Sequence, residues 1–125
     1  MKYLLALSLF ISVAFSQGVN DKNFKEKING GVVVAVFTSE WQEQDLDDKI
    51  LKGVEGYQDA EIIYVESEQA KKVTKKLRFR NFPSMALFYD GSKKETWKAD
   101  MDGELDCSSK EIKSAIDDIL AEDVF

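Results

Sequence analysis

The chain has 125 residues, of which 44% are hydrophobic and 32% are charged, and its formal net charge is -6 with no histidine. This length and composition are typical of one folded domain with a single core. The negative charge argues against nucleic acid or an anionic membrane surface as a partner, because both attract basic patches. Without histidine, the chain lacks the usual side chain for acid–base catalysis near neutral pH and the commonest metal ligand. We therefore expect neither a metal site nor a cofactor.

The first residues have the pattern of a secretory signal peptide. Lys2 precedes an apolar stretch from Leu4 to Phe15, and small residues lie just before Gln17. A basic start, a short apolar run and small residues at the cleavage site are typical of such a signal, and the run is shorter than the roughly 20 residues that span a bilayer. We predict a signal peptide over residues 1–16, a domain over 17–125, and a location in the endoplasmic reticulum lumen or outside the cell. The alternative is an uncleaved membrane anchor.

Two patterns alternate along the rest of the chain: apolar residues at helical spacing, and short apolar runs that suit buried strands. In chain order they predict a short helix carrying Phe24 and Ile28, strand 32–37, helix 42–57, strand 61–67, helix 70–77, strands 84–89 and 96–98, and helix 109–121. Asn20 or Asp21 is expected to cap the first helix, and Asp90-Gly91 to form the turn of a hairpin. Strands alternating with helices imply a central sheet covered on both faces.

Residues 32–41 and residues 82–91 resemble two segments of the thioredoxin-like superfamily. Residues 32–41 are similar to the strand and turn that lead into that family's active site, and residues 82–91 are similar to its proline loop and the following strand. The resemblance covers about residues 19–121. It implies an α/β thioredoxin-like fold with a central mixed β-sheet and helices on both faces. It also implies a cis peptide bond between Phe82 and Pro83.

The redox residues of that family are missing here. The family has two cysteines in the order Trp-Cys-x-x-Cys, whereas Gln42 and Asp45 occupy the corresponding positions after Trp41. The family also has a buried acid that assists proton transfer, and this chain has Val36 in its place. The resemblance therefore implies a scaffold without dithiol chemistry, and we expect the protein not to be an enzyme.

We expect the former active-site face to bind other proteins. The residues predicted to form it are Trp41, Gln42, Glu43, Gln44, Asp45, Phe82, Pro83, Ala99 and Asp100. An aromatic side chain at a helix start lies beside free backbone N–H groups, and the proline loop of relatives offers backbone groups to an extended peptide. The predicted function is protein binding in the secretory pathway, as a chaperone-like escort or as a structural subunit of an assembly. The alternative is that Trp41 packs into the fold and that the proline loop only shapes it.

Cys107 is the single cysteine, so an internal disulfide is impossible. We predict that its thiol is exposed, and that it is either free or engaged in an intermolecular disulfide. A rival hypothesis is a thiol-exchange enzyme of the same superfamily that uses Cys107 alone. That chemistry requires a lowered thiol pKa, which the neighbouring acids Asp102, Glu104 and Asp106 oppose.

Two charged segments allow further interpretations. The acidic loop 100–106 either binds calcium through alternating carboxylates or is a solvated turn, and Leu105 at the position where an EF-hand loop needs glycine favours the turn. A basic strip follows the second strand and is either the solvent-exposed face of a helix or a docking patch for an acidic partner. The residues of the strip are Lys71, Lys72, Lys75, Lys76, Arg78 and Arg80.

Overall fold

The computed structural model describes residues 18–42, 46–47, 49–58 and 60–124. The helices and strands within these ranges are α1 (Phe24–Ile28), β1 (Val32–Thr38), a 3-10 helix (Ile50–Gly53), β2 (Glu61–Glu66), α2 (Lys71–Lys76), β3 (Ser84–Tyr89), β4 (Ser92–Trp97) and α3 (Ser109–Val124). The predicted signal peptide over 1–16 lies outside the described residues, as do Glu43, Gln44 and Asp45 of the predicted site. None of the helices described here is both long and apolar enough to cross a membrane.

The strands form one mixed sheet in the order β2-β1-β3-β4. β1 pairs in parallel with β2 and antiparallel with β3, and β3 and β4 form an antiparallel hairpin. The predicted Asp90-Gly91 turn closes this hairpin, with φ angles of 50° and 86° that suit a tight turn between twisted strands. In the parallel pair, Thr38 lies opposite Glu66. The carboxyl ends of β1 and β2 therefore meet at one edge of the sheet, where the residues that follow them are brought together.

Alternating residues of β1 pack into two separate cores, one on each face of the sheet. One core contains Val33, Ala35 and Phe37 together with Phe24 and Ile28 of α1. The other contains the intervening valines with residues of the 3-10 helix, β3 and α3: Val32, Val34, Val36, Ile50, Leu51, Met85, Leu87, Ile112 and Ile116. Every residue from Val32 to Phe37 is buried, which explains the continuous apolar run. The predicted architecture, a mixed sheet with helices on both faces, is confirmed.

The helix predicted over 42–57 is wrong for the part of that range that the structure describes. Only Ile50–Gly53 is helical there, as a single 3-10 turn. The Asp47 carboxylate accepts a hydrogen bond of 3.0 Å from the backbone N–H of Lys49, a local contact that competes with helix formation. Gly53 and Gly56 further lower the helix propensity of the segment. The apolar spacing did identify Ile50 and Val54 as buried, but burial here does not require an α-helix.

Other boundaries and caps also differ from the predictions. β4 begins at Ser92 rather than at residue 96, because its exposed polar half is ordered by pairing with β3 and not by its own burial. The Asn20 side chain accepts hydrogen bonds from the backbone N–H groups of Lys22 and Asn23, just before α1. Asp21 instead accepts from the backbone N–H groups at the start of α2, which lies more than 50 residues further along the chain. The cis bond between Phe82 and Pro83 is confirmed.

Candidate functional site

A surface groove lies beside the carboxyl end of β1, between the turn that follows this strand and the Phe82-Pro83 loop. Its volume is about 300 Å³. The acidic loop that follows β4 forms its remaining wall. We call it the tryptophan groove, and its lining includes Ser39, Trp41, Gln42, Arg80, Phe82 and Met101.

Trp41 projects into solvent at this groove. Its side chain is 84% exposed, and that of Met101, on the acidic loop, is 92% exposed. The turn is closed by its own polar groups: the backbone N–H of Trp41 donates to Ser39 Oγ at 3.2 Å, and Gln42 Oε1 accepts from the backbone N–H of Ser39 at 2.9 Å. These contacts fix the backbone and leave the indole outside the core. The alternative interpretation of Trp41 as a packing residue is therefore not supported.

The Glu68 side chain holds this turn through hydrogen bonds, and the sequence alone did not identify it as a site residue. Its Oε2 accepts hydrogen bonds from Ser39 Oγ at 2.8 Å and from Ser67 Oγ at 3.1 Å. Its Oε1 is buried and accepts no hydrogen bond of normal geometry from the residues that the structure describes. Ser67 is itself tied to the end of β1, because its backbone N–H donates to Thr38 O at 2.7 Å. The carboxylate thus links the ends of β1 and β2 to the turn that carries Trp41.

Opposing effects act on the Glu68 carboxyl. Burial raises its pKa, but the hydrogen bond from Ser39 lowers it, and the backbone N–H of Glu68, the Ser67 hydroxyl and the backbone N–H of Glu40 lower it further. The net pKa lies below the ordinary value of 4.5. A carboxyl whose pKa is lower in the folded state stabilises that state above its unfolded pKa, and this contribution is lost as pH falls through the folded pKa.

We therefore expect the Glu68→Gln variant to lose less stability on acidification than the wild type does. The difference in the free energy of unfolding between the two proteins should be largest at neutral pH and should shrink as pH falls below the ordinary carboxyl pKa of 4.5. Urea unfolding across this pH range measures the difference. Glu66→Gln, which makes the same chemical change at an exposed position at the end of β2, is the matched control. Parallel profiles for the wild type and Glu68→Gln would contradict this role for Glu68.

The remaining predicted residues of the face support the groove from within the fold. Pro83 is fully buried, and Ala99 is also buried. The buried Ser84 hydroxyl donates to Asn81 O at 2.7 Å and accepts from the backbone N–H of Ala99 at 3.0 Å, so it joins the proline loop to the segment after β4. Of the predicted residues that the structure describes, Trp41, Gln42 and Phe82 line the groove.

Asp100 is used to shape the acidic loop. Its Oδ1 accepts hydrogen bonds of 2.9 Å from the backbone N–H groups of both Asp102 and Glu104. The carboxylate is thereby occupied in an internal turn, which favours the solvated turn over the calcium loop. Within the part of the chain that the structure describes, no group of three or more acidic or cysteine side chains is placed to hold a metal ion.

Cys107 is half-buried, so the expectation of an exposed thiol is wrong. Its side chain packs with Leu105 against the core that contains Ile112 and Ile116 of α3, and it lines a separate pocket together with Pro83. Burial raises the pKa of the thiol to about 12, and the nearby carboxylates of Glu111 and Asp106 add to the increase. A thiol that stays protonated near neutral pH is a poor nucleophile. The geometry therefore does not favour the thiol-exchange hypothesis.

No family model matches this sequence, and no curated protein matches it either. The chain is similar in structure to the first two thioredoxin domains of Naumovozyma dairenensis Eps1p, with a TM-score of 0.53 and 13% sequence identity. The likeness covers 66% of this chain and 35% of that one, so this chain spans about a third of its neighbour's length. At this identity the likeness bears on the fold and not on the activity. Together with the mixed four-stranded sheet, it shows that the chain has a thioredoxin-like fold.

Proposed function

We propose that this protein is a redox-inactive member of the thioredoxin-fold proteins that binds other proteins through the tryptophan groove. Its place would be in the secretory pathway, as an escort for other chains or as a subunit of an assembly. The observation that carries the proposal is the exposed indole of Trp41 at the rim of a groove, next to the Phe82-Pro83 loop. The pathway rests on the signal-like pattern of the first residues.

Exposed apolar side chains are concentrated at this groove. Among the described residues, the large hydrophobic side chains that are exposed are Trp41, Tyr64 and Met101, and two of these three line the tryptophan groove. Tryptophan is enriched among the residues that dominate binding energy at protein interfaces. Methionine is flexible and polarisable, so it adapts to apolar partners of different shapes. This combination supports the capture of apolar side chains from a protein segment.

The available chemistry supports binding rather than catalysis. The chain has one cysteine, so it cannot cycle between a dithiol and a disulfide within itself. The raised pKa of Cys107 disfavours the thiolate needed for exchange. The groove residues Trp41, Phe82 and Met101 offer apolar contact area and no nucleophile.

A labelled extended peptide with a central Leu-Val-Phe segment flanked by glutamine tests the proposal. Truncating a dominant interface residue costs at least about 2 kcal/mol, so Trp41→Ala should weaken binding of the peptide by about 30-fold. Fluorescence anisotropy measures the affinity. Tyr64→Ala is the matched control, because Tyr64 is also aromatic and 57% exposed but lies on β2 and does not line the groove. Equal losses in the two variants, or no loss in either, would show that the tryptophan groove is not the binding site.

A further inference from the structure

We propose that a second groove, continuous with the tryptophan groove, binds the acidic side chains of the same protein segment. The proposal rests on the binding role proposed above and specifies its ligand: an extended segment in which an apolar stretch lies next to a run of Asp or Glu. We call the second surface the cationic groove, and its lining includes Ser67, Lys71, Lys75, Arg78, Arg80 and Phe82.

The two grooves are neighbours with shared walls. The cationic groove has a volume of about 590 Å³, and both Arg80 and Phe82 line it as well as the tryptophan groove. One extended chain can therefore place an apolar side chain beside Trp41 and its next residues beside the basic side chains. Successive side chains of an extended peptide diverge, so different pockets along its path can select different residues.

The positive charge of the cationic groove stands out on an acidic protein. The whole chain carries a net charge of -6, yet four basic side chains line this one groove. None of the four, Lys71, Lys75, Arg78 or Arg80, forms a side-chain ion pair or hydrogen bond with any residue that the structure describes. Like charges gathered without counter-charges repel one another, and an acidic ligand would relieve that repulsion.

The backbone at Arg78 forms the turn that ends α2 at the cationic groove. Its φ angle is 61°, in the left-handed region, directly after α2. This is the position at which helices usually end with glycine, because other residues are strained there. The turn is closed by hydrogen bonds from the backbone N–H groups of Arg78 and Phe79 to Lys75 O and Thr74 O, at 3.0 and 3.1 Å. These two hydrogen bonds are the pattern of an ordinary left-handed helix cap, and this cap ends α2 at the groove that Arg78 lines.

The surroundings favour a protein segment over a nucleic acid. A polynucleotide would bring many charges close to a protein whose net charge is -6, whereas a short acidic run brings only a few. The adjoining tryptophan groove offers apolar contact to side chains that a peptide carries. The four basic residues of the cationic groove, Lys71, Lys75, Arg78 and Arg80, lie within one groove of about 590 Å³, which suits a short ligand.

The experiment compares two peptides that differ only in charge. One is the glutamine-flanked Leu-Val-Phe peptide, and in the other the glutamines on both sides are replaced by glutamates. We expect the wild-type protein to bind the glutamate peptide about tenfold more tightly at low salt, and added salt should reduce the difference because it screens exposed charges. Equal affinities for the two peptides would overturn the proposal.

Two double variants on the same helix locate the effect. Lys71→Glu with Lys75→Glu reverses two charges that line the cationic groove, while Lys72→Glu with Lys76→Glu reverses two exposed charges that line another surface. The first pair should abolish the preference for glutamate, and the second should largely preserve it. Equal losses from both pairs would indicate a diffuse effect of net charge and would overturn the assignment to this groove.

Arg78→Gly and an RNA probe complete the test. Glycine suits the left-handed backbone, so Arg78→Gly should keep its unfolding midpoint but lose part of the preference for glutamate. If Arg78→Gly retains the full preference, Arg78 is not part of the site. A single-stranded RNA of equal charge that binds more tightly than the glutamate peptide would overturn the choice of ligand. If Trp41→Ala leaves the affinities for both peptides unchanged while the preference for glutamate persists, the tryptophan groove is not the binding site. In that case only the assignment of the cationic groove is supported.

Discussion

Replacing Phe37 by alanine is expected to lower the free energy of unfolding by about 3–5 kcal/mol, the range typical of a large aromatic side chain removed from a core. Phe37 is fully buried in β1. Its ring makes an edge contact with Phe79, with ring centroids 5.0 Å apart, and a tilted contact with Phe24 at 6.0 Å. The cavity left by the substitution would lie where helix α1 and the loop after α2 both pack against the sheet. Urea unfolding followed by circular dichroism measures the loss.

Two further variants keep this prediction testable if the alanine variant does not fold. Phe37→Leu preserves most of the buried volume and should cost less than about 1.5 kcal/mol. Tyr64→Ala removes an aromatic ring from the exposed surface of β2 and should cost less than about 1 kcal/mol, since no cavity forms there. A loss for Phe37→Ala no greater than that for Tyr64→Ala would be incompatible with Phe37 lying at the centre of this core.

The parts of the fold that the sequence predicted well are those in which local pattern and burial agree. Residues 32–37 are apolar without interruption because both faces of β1 are covered, and no polar residue can be accommodated there. α3 shows the same agreement, with Ile112 and Ile116 one turn apart and both fully buried. For such segments, the spacing of apolar residues is compatible with few other types of secondary structure.

The region after Trp41 shows where local pattern is insufficient. An irregular segment that folds back on the core can also bury apolar residues that are spaced as in a helix. Ile50 and Val54 are buried in this way. The 3-10 helix and the turn after it are shaped by Gly53 and by contacts with α3. These contacts involve residues more than 50 positions away, so no window of local sequence contains them.

One residue of the candidate site, Glu68, could have been identified from the sequence. Ser39 and Glu68 are 29 residues apart, but each follows one of two adjacent parallel strands by a short distance. Because the carboxyl ends of such strands meet at the same edge, their contact follows from the predicted topology. The exposure of Trp41 is different. It depends on how Ser39 and Gln42 close the turn. The sequence alone does not distinguish a tryptophan that packs into the core from one that is exposed to solvent.

Replacing Gly53 by alanine is expected to lower the free energy of unfolding by about 1–3 kcal/mol, although the change adds a single methyl group. A Cβ atom at this position would clash with the backbone oxygen of Ser109 and would lie 3.1 Å from Ile112 Cβ. The oxygen belongs to the start of α3 and cannot rotate away. The 3-10 helix would have to move off α3, which would disturb the packing of Ile50 and Leu51 against Ile112.

Gly56→Ala is the matched control for this clash, because it makes the same chemical change three residues further along the chain. Apart from its two chain neighbours, no residue that the structure describes has an atom within 4 Å of a Cβ built at Gly56, and the φ of Gly56 is not in the left-handed region. Alanine there restricts the unfolded chain without straining the folded one, so Gly56→Ala should be neutral or should stabilise the protein by up to about 1 kcal/mol. Opposite effects of the two substitutions in parallel urea titrations would show that close approach to α3, and not helix propensity, requires the glycine. If both variants were stabilised alike, the segment would not be held against α3 as described.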